Sequence, residues 1–124
     1  MTEDELQALL EKTLPPSDRH DVFVEECQDQ DVRLRFSPPA GGAWSMPALL
    51  SLVDTALRVA SGLTAEISHL NVTVLKPAQA ADVVSLSRVI RRDGDRVHAE
   101  AWLFSHTAVD PVLHATASLA IPPR

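Results

Sequence analysis

The residue best placed to do chemistry in this sequence is Asp54, which lies in an otherwise apolar run. Residues 47–57 read Pro-Ala-Leu-Leu-Ser-Leu-Val-Asp-Thr-Ala-Leu, and Asp54 is the only ionisable side chain among them. Burying a carboxylate is costly unless it is paired, and carboxylates in apolar surroundings are candidates for catalysis. A helix would alternatively place Asp54 on a solvated stripe beside Ser51 and Arg58. The run by itself leaves both interpretations open.

Histidine and cysteine do not form a metal-binding pattern in this chain. The five histidines include no pair spaced four residues apart and show no zinc-type spacing with the single cysteine, Cys27. One cysteine excludes an internal disulfide and fits a reducing compartment. Its acidic neighbour Glu26 disfavours a reactive thiolate. We therefore predict no metal, no cofactor and no cysteine nucleophile.

Length and charge indicate one domain, residues 1–124, in the cytoplasm. The chain has 124 residues, of which 45% are hydrophobic, enough for a single compact core. A net charge of −6 argues against nucleic acid or an anionic membrane as partner. No apolar run approaches the roughly 18 residues that span a bilayer. The acidic start, Met-Thr-Glu-Asp-Glu-Leu, does not resemble a signal peptide.

The elements that must position Asp54 begin with a short helix and two strands. Leucines at near-helical spacing predict an amphipathic helix within residues 1–16, which Pro15 and Pro16 end. Residues 22–27 and 32–36 then predict two strands, separated by a polar turn.

Asp54 itself lies on a predicted long helix, residues 46–61. Ser45 is the expected N-cap, Pro47 lies in the first turn where its missing N–H costs little, and Gly62 is well placed to end the helix. Because this helix is apolar nearly all round, it needs cover on a second side, which another chain can supply.

The residues that follow, 64–122, predict a four-strand antiparallel meander. Its strands are residues 64–75, 83–92, 96–106 and 112–121, and Asp93-Gly94-Asp95 is a hairpin signal between the second and the third. Trp102 and Phe104 share one strand face with His98, Glu100 and His106, which indicates either an oligomer surface or a small core within one chain. Together with the helices, these strands predict an α+β layer fold.

Three ordered segments resemble the hotdog fold, in which a curved antiparallel sheet wraps one long central helix. Residues 45–47, Ser-Met-Pro, stand where hotdog acyl-CoA thioesterases of the phenylacetate-degradation (PaaI-like) type often have His-Gly-Gly or Ser-Gly-Pro. Residues 52–56, Leu-Val-Asp-Thr-Ala, match their Leu-Ala-Asp-Thr-Ala with the spacing kept, and residues 70–77 resemble their strand that ends in Phe-Leu-Arg-Pro. These proteins are relatives of 4-hydroxybenzoyl-CoA thioesterase.

The resemblance implies a thioester site at a dimer interface, against the N-terminus of the central helix. Asp54 matches the catalytic carboxylate, which acts as nucleophile or as general base on water. The backbone N–H of Met46 would bind the oxyanion, with Ser45 and Pro47 shaping the turn around the substrate. The family usually has glycine at the position of Met46. The Met46 side chain would either narrow the pocket at the oxyanion site or turn away from it.

The resemblance also implies supporting roles for five further residues, each with a plainer alternative. Ser61 matches a hydroxyl that can position the attacking water, and is otherwise a polar residue at a helix end. Asn71 and Thr73 would line the pocket, and are otherwise ordinary polar positions of a sheet. Arg91 and Arg92 would contact coenzyme A phosphates, and are otherwise part of a solvated hairpin end.

The first function hypothesis is a homo-oligomeric acyl-CoA thioesterase, a dimer or a dimer of dimers, that releases free acid and coenzyme A. The alternative is a non-catalytic acyl-CoA-binding or regulatory hotdog protein, which Met46 and the missing histidine favour. A hydratase or dehydratase ranks last, because it needs an Asp-His or His-Glu acid/base pair across the interface, and no aspartate has a histidine in a matching companion motif. Fold analogy alone does not separate these chemistries.

Overall fold

A computed structural model describes residues 2–14, 20–28, 31–39, 42–105 and 110–122, and these form two helices and six strands. The strands make one antiparallel sheet in the order β1-β2-β4-β5-β6-β3. The elements are α1 (Glu3–Thr13), β1 (Phe23–Gln28), β2 (Asp31–Phe36), α2 (Met46–Ser61), β3 (Glu66–Val74), β4 (Val83–Asp93), β5 (Arg96–Ser105) and β6 (Pro111–Ala120).

The strand order corrects the predicted four-strand meander. β4, β5 and β6 do follow one another through the sheet, but β3 pairs with β6 at the edge opposite β1. The helix α2 packs on β2, β4, β5 and β6, so it carries the chain across the sheet between β2 and β3. Residue periodicity identifies strands but not their neighbours, and for that reason the sequence did not reveal this crossover.

One face of the sheet packs on α2 and is called the inner face. Leu34, Ser85 and Leu103 lie opposite one another on β2, β4 and β5, and all three are buried. Four alanines of β5 and β6 continue the inner face and are buried as well. Small residues at these positions let the helix lie close to the sheet. The buried apolar residues of α2 that meet this face are Leu49, Leu52, Val53, Ala56, Leu57 and Ala60.

The ends of α2 agree with the predicted boundaries. Ser45 is the N-cap, and its Oγ accepts a hydrogen bond from the Ala48 N–H at 3.3 Å. Gly62 has φ of 139°, which favours glycine, and its N–H donates to the Arg58 carbonyl at 2.7 Å. The predicted Pro15-Pro16 stop and residues 29–30 of the first turn lie outside the described residues.

Neither helix in the described part of the chain is long and apolar enough to cross a membrane. The shorter helix, α1, contacts β1 and buries Leu6 and Leu10. Gln7 ties α1 to the chain around β1, since its side chain donates to the Val22 carbonyl and accepts from the Val24 N–H.

Candidate active site on the central helix

Asp54 forms a two-point ion pair with Arg58, the residue one helical turn later. Arg58 donates from Nε to Oδ1 at 3.1 Å and from Nη2 to Oδ2 at 2.5 Å. Their side chains are 41% and 38% exposed, so Asp54 is half-buried in a single chain. The hydrogen bond to Asp54 raises the pKa of Arg58, although burial opposes the effect. In a single chain, Asp54 is therefore a partly solvated carboxylate beside Arg58 rather than a buried one.

The side of α2 turned away from the sheet is an uncovered stripe made of Met46, Leu50, Asp54 and Arg58. Met46 is 42% exposed and Leu50 is 37% exposed, which is high for large apolar residues. The stripe thus combines apolar side chains with one carboxylate held by one guanidinium. In a single chain the stripe is therefore largely open to solvent.

The N-terminus of α2 presents the Met46 N–H that the resemblance assigns to the oxyanion. No hydrogen bond from this N–H is found among the described residues, whereas Ala48 and Leu49 donate to the Ser45 side chain and carbonyl. Free N–H groups at a helix N-terminus favour an anion, because the helix macrodipole is positive there. The local geometry is compatible with an oxyanion site.

The two groups that would act on a thioester lie far apart within one chain. Met46 and Asp54 are eight residues apart on α2. At about 1.5 Å per residue their backbones are separated by about 12 Å along the helix axis. Reacting atoms must approach to about 3–3.5 Å. Within one chain these two groups are therefore too far apart to act on the same carbonyl.

Ser61 and Arg92 meet at the C-terminus of α2. Arg92 donates from Nη2 to the Ser61 carbonyl at 3.1 Å, and a cation is favourable at a helix C-terminus. Ser61 is buried, and its Oγ has no hydrogen-bond partner in the described structure. Arg91, in contrast, lies 3.5 Å from Asp93 in a highly exposed ion pair at the hairpin end. The structure brings Ser61 to Arg92 but leaves Arg91 in solvent.

Asn71 and Thr73 lie on the sheet face away from α2, called the outer face. Asn71 pairs with Thr116, and Thr73 pairs with His114. Their neighbours Leu70, Val72 and Val74 alternate onto the inner face. Within one chain the structure does not bring Asn71 or Thr73 beside Asp54.

The strand β3 is an exposed sheet edge. It pairs with β6 on one side, and no strand of the described chain pairs with its other side. Its inner-face residues Leu70 and Val74 remain 40% and 51% exposed. A long apolar edge of this kind is a template for pairing with another strand.

Sequence reasoning missed a polar cluster on the outer face, formed by Glu100 with Arg88 and His114. Arg88 donates from Nε to Glu100 Oε2 at 2.6 Å, and His114 Nε2 lies 3.0 Å from Oε1. The His114 ring stacks on Trp102 with 3.8 Å between ring centres. Alternation along β5 predicts that Glu100 and Trp102 share a face. Arg88 and His114 join them only through the pairing of β5 with β4 and β6, which the sequence does not reveal. Within one chain Trp102 thus packs against His114, and the choice between an oligomer surface and a one-chain core stays open.

A groove of about 480 Å³ adjoins this cluster on the outer face. Leu86 and Trp102 form part of its wall, and Arg33 and Arg88 lie beside the acidic residues Glu26, Asp31 and Glu100. Mixed charge around an apolar wall is typical of a protein contact surface.

The pKa of Glu100 gives a stability prediction. Burial would raise this pKa, but the hydrogen bonds to His114 and Arg88 outweigh it and hold the pKa below 4.5. A carboxyl with a lowered folded-state pKa stabilises the fold at neutral pH, and the contribution is lost as pH falls through the folded value. The stability advantage of the wild type over Glu100→Gln should therefore shrink on acidification below pH 4.5.

Urea denaturation across the acid range measures this difference. Glu11→Gln, on the exposed surface of α1, is the matched control and should show little such trend. A Glu100→Gln deficit that stays constant with pH would contradict the assigned network.

Comparison with known proteins shows similarity at the level of structure alone. No family model matches the chain, and no curated protein matches it by sequence. A protein from Silicibacter sp. TM1040, provisionally assigned as a thioesterase, superposes with a TM-score of 0.87 at 18% identity, over 99% of this chain and 93% of that chain.

Two further solved structures show the same architecture. The E. coli PaaI protein from the phenylacetic acid degradation operon has a TM-score of 0.80 at 10% identity, covering 98% of this chain and 94% of its own. Zebra fish thioesterase superfamily member 2 has a TM-score of 0.78 at 14% identity, covering 97% and 95%. The predicted hotdog fold is confirmed over nearly the whole chain.

Proposed function

We propose that this hotdog-fold protein is an acyl-CoA thioesterase whose active site forms between two copies of the chain. The observation that carries the proposal is the separation of the two reacting groups on α2. Met46 and Asp54 lie about 12 Å apart along one helix, which is too far for a shared substrate. A second copy with its helix in the opposite direction places the Asp54 of one protomer beside the Met46 N–H of the other.

The surface of the chain supports this arrangement. The uncovered stripe of α2 and the exposed inner-face side chains of β3 both lie on the side of the sheet where another copy would pack. Pairing of the two β3 edges would satisfy their free backbone groups and bury Leu70 and Val74. The same contact would cover Leu50 and bring Asp54 into an environment with little water.

The proposed chemistry is hydrolysis of the thioester to free acid and coenzyme A. Asp54 attacks the carbonyl carbon directly, or removes a proton from a water that attacks it. The Met46 N–H of the partner subunit stabilises the negative charge that develops on the carbonyl oxygen. The carbon–sulfur bond then breaks, and the coenzyme A sulfur leaves and takes up a proton. Attack by Asp54 itself would require water to cleave the resulting anhydride.

The remaining site residues are proposed in supporting roles. Ser45 and Pro47 shape the helix N-terminus next to the thioester. The unpartnered hydroxyl of Ser61 is a candidate to position water, at about 10.5 Å from Asp54 along the axis of the same helix. Exposed Arg91 is a candidate for coenzyme A phosphates, whereas Arg92 is already engaged with the helix end. Asn71 and Thr73 lie on the outer face, away from Asp54 of their own chain. They can line the substrate pocket only if the outer face of one subunit reaches the substrate held by another.

Several solved structures that share the fold support the proposed reaction class. One is a Staphylococcus aureus thioesterase, with a TM-score of 0.75 at 14% identity over 94% of this chain and 99% of its own. The single free cysteine, Cys27, is compatible with a location in the cytoplasm, which we include in the proposal.

Release of free thiol from a panel of alkyl and aryl acyl-CoAs tests the proposed activity. The competing function is acyl-CoA binding without hydrolysis, and the observation that favours it is the exposed side chain of Met46 where the family usually has glycine. Saturable binding of an acyl-CoA without thiol release would replace the thioesterase proposal with this one.

A charge placed on the exposed edge should separate the subunits. Val74→Lys introduces an ammonium on the inner face of β3, and burying it without a partner costs several kcal/mol. We expect monomers in sedimentation velocity and loss of thiol release, since each monomer holds only half-sites. Val74→Thr is the control of similar shape and should remain a dimer. A fully active Val74→Lys monomer would contradict the shared site.

A dimer of dimers is proposed to form through the outer face. This face carries Trp102 and the exposed side chains of Phe23 and Leu86. Large aromatic side chains are stabilised by burial, so a second copy packed on this face would be favourable. The groove with its mixed acidic and basic walls lies on the same face. A two-fold axis there would set the acids of one copy against the arginines of another.

A further inference from the structure

We infer that Arg58 is a positioning residue, which holds the Asp54 carboxylate in the orientation required for attack on the thioester. The inference rests on the proposed function, since it concerns how that site is prepared. It adds a residue that the sequence had grouped only with the solvated stripe.

The geometry of the pair fixes the carboxylate in two directions. Nε and Nη2 of Arg58 reach different oxygens of Asp54, so the carboxylate plane is held as well as its position. A guanidinium makes this two-point contact because it is planar, whereas an ammonium binds as a point charge. Each carboxylate oxygen has two lone pairs, and the hydrogen bond from Arg58 occupies one lone pair on each oxygen. The others remain available to water or to the thioester carbon.

The composition of α2 makes this pair stand out from an ordinary surface pair. Asp54 and Arg58 are the only charged residues of the sixteen in the helix. Both lie on the uncovered stripe beside the exposed Leu50, rather than on a polar face. When a second copy covers the stripe, the carboxylate loses solvent, and the guanidinium becomes the group that compensates its charge.

The other elements packed on α2 supply no competing charge near Asp54 among the described residues. The inner faces of β2, β5 and β6 carry apolar or small residues against the helix. On β4 the charged residue that reaches the helix is Arg92, and it binds the Ser61 carbonyl at the helix end. Within one chain, the charged side chain that contacts the Asp54 carboxylate among the described residues is that of Arg58.

Two substitutions separate positioning from simple support of the helix. Arg58→Gln removes the charge and the fork, and Arg58→Lys keeps the charge but loses the two-point contact. We expect Arg58→Gln to lower kcat on the order of 10²-fold, because a misplaced catalytic group loses that much rate. Arg58→Lys should recover part of it. Arg96→Gln, an exposed arginine at the start of β5, is the control and should keep wild-type kcat.

The split between kcat and KM is the readout that a purely structural role would not move. A misoriented carboxylate attacks more slowly while the substrate still binds, so Arg58→Gln should lower kcat and leave KM close to that of the wild type. In Arg58→Lys the loss should again be confined to kcat. Unchanged kcat in Arg58→Gln, or a loss that appears in KM alone, would overturn the inference.

A measurement without substrate keeps this test distinct from that of the proposed function. NMR coupling constants that report the χ1 angle of Asp54 should show one rotamer in the wild type and averaging in Arg58→Gln. If the wild type releases no thiol from any acyl-CoA, the proposed function fails, and the couplings still decide whether Arg58 holds Asp54. The same averaging in both proteins would overturn the positioning role.

Discussion

Asp54→Asn should lower the rate of thiol release by about 10²–10⁴-fold, the usual contribution of a catalytic acid or base. The amide is close in shape to the carboxylate but carries no charge and has no basic oxygen. It can act neither as nucleophile nor as base, so the loss should appear in kcat. The measurement is steady-state thiol release by wild type and variant on the same acyl-CoA.

The same substitution should leave the fold and the oligomer intact. Asp54 is half-exposed, and an i,i+4 ion pair on a helix contributes only about 0.2–0.5 kcal/mol. Asp110→Asn is the matched control, because it makes the same change at an exposed ion pair, with Lys76, outside the proposed site. Substantial turnover in Asp54→Asn would show that Asp54 is not catalytic and would favour the alternative that it is a solvated surface residue of the helix.

Met46→Pro should remove the oxyanion donor without removing the helix. Proline has no N–H, and it is well accepted at the first helical position, which Met46 occupies. Ser45 already has an extended backbone, with φ of −80° and ψ of 161°, as a residue before proline requires. Loss of one oxyanion donor lowers kcat by about 10²–10³-fold. Met46→Ala keeps the N–H and is the control, expected to retain most of the activity.

Mixing the two inactive variants tests whether the site is shared between subunits. A dimer of one Asp54→Asn chain and one Met46→Pro chain has one site with both changes and one site with neither. Random exchange of subunits makes half of the dimers mixed, so about a quarter of wild-type activity should return. If instead each site lay within one chain, the mixture would be no more active than its components. That result would overturn the interface proposal while leaving the role of Asp54 open to its own test.

The local structure of this protein followed from the sequence. Apolar alternation identified the strands, and Ser45 and Gly62 marked the ends of α2, because caps and strand faces depend on neighbouring residues alone. Asp54 stood out in the sequence for a similar reason, as one carboxylate in an apolar helix. The resemblance in residues 45–47, 52–56 and 70–77 then predicted the hotdog fold, which the solved structures confirm.

The tertiary structure decided the relations between distant residues. The crossing of α2 moves β3 to the far edge of the sheet, where Leu70 and Val74 are left uncovered. Strand pairing joins Glu100 to Arg88 and His114, although no pattern along the chain connects them.

The sequence by itself determined that a carboxylate and a helix N-terminus lie on one element with fixed spacing. It also placed Arg58 near Asp54, since residues four apart share a helix face. The tertiary structure decided which side of that helix the sheet leaves open, and how the guanidinium meets the carboxylate. The physical reason is that helical spacing is set by backbone hydrogen bonds within one segment. Which face is buried depends on apolar surfaces that meet only after the whole chain has folded.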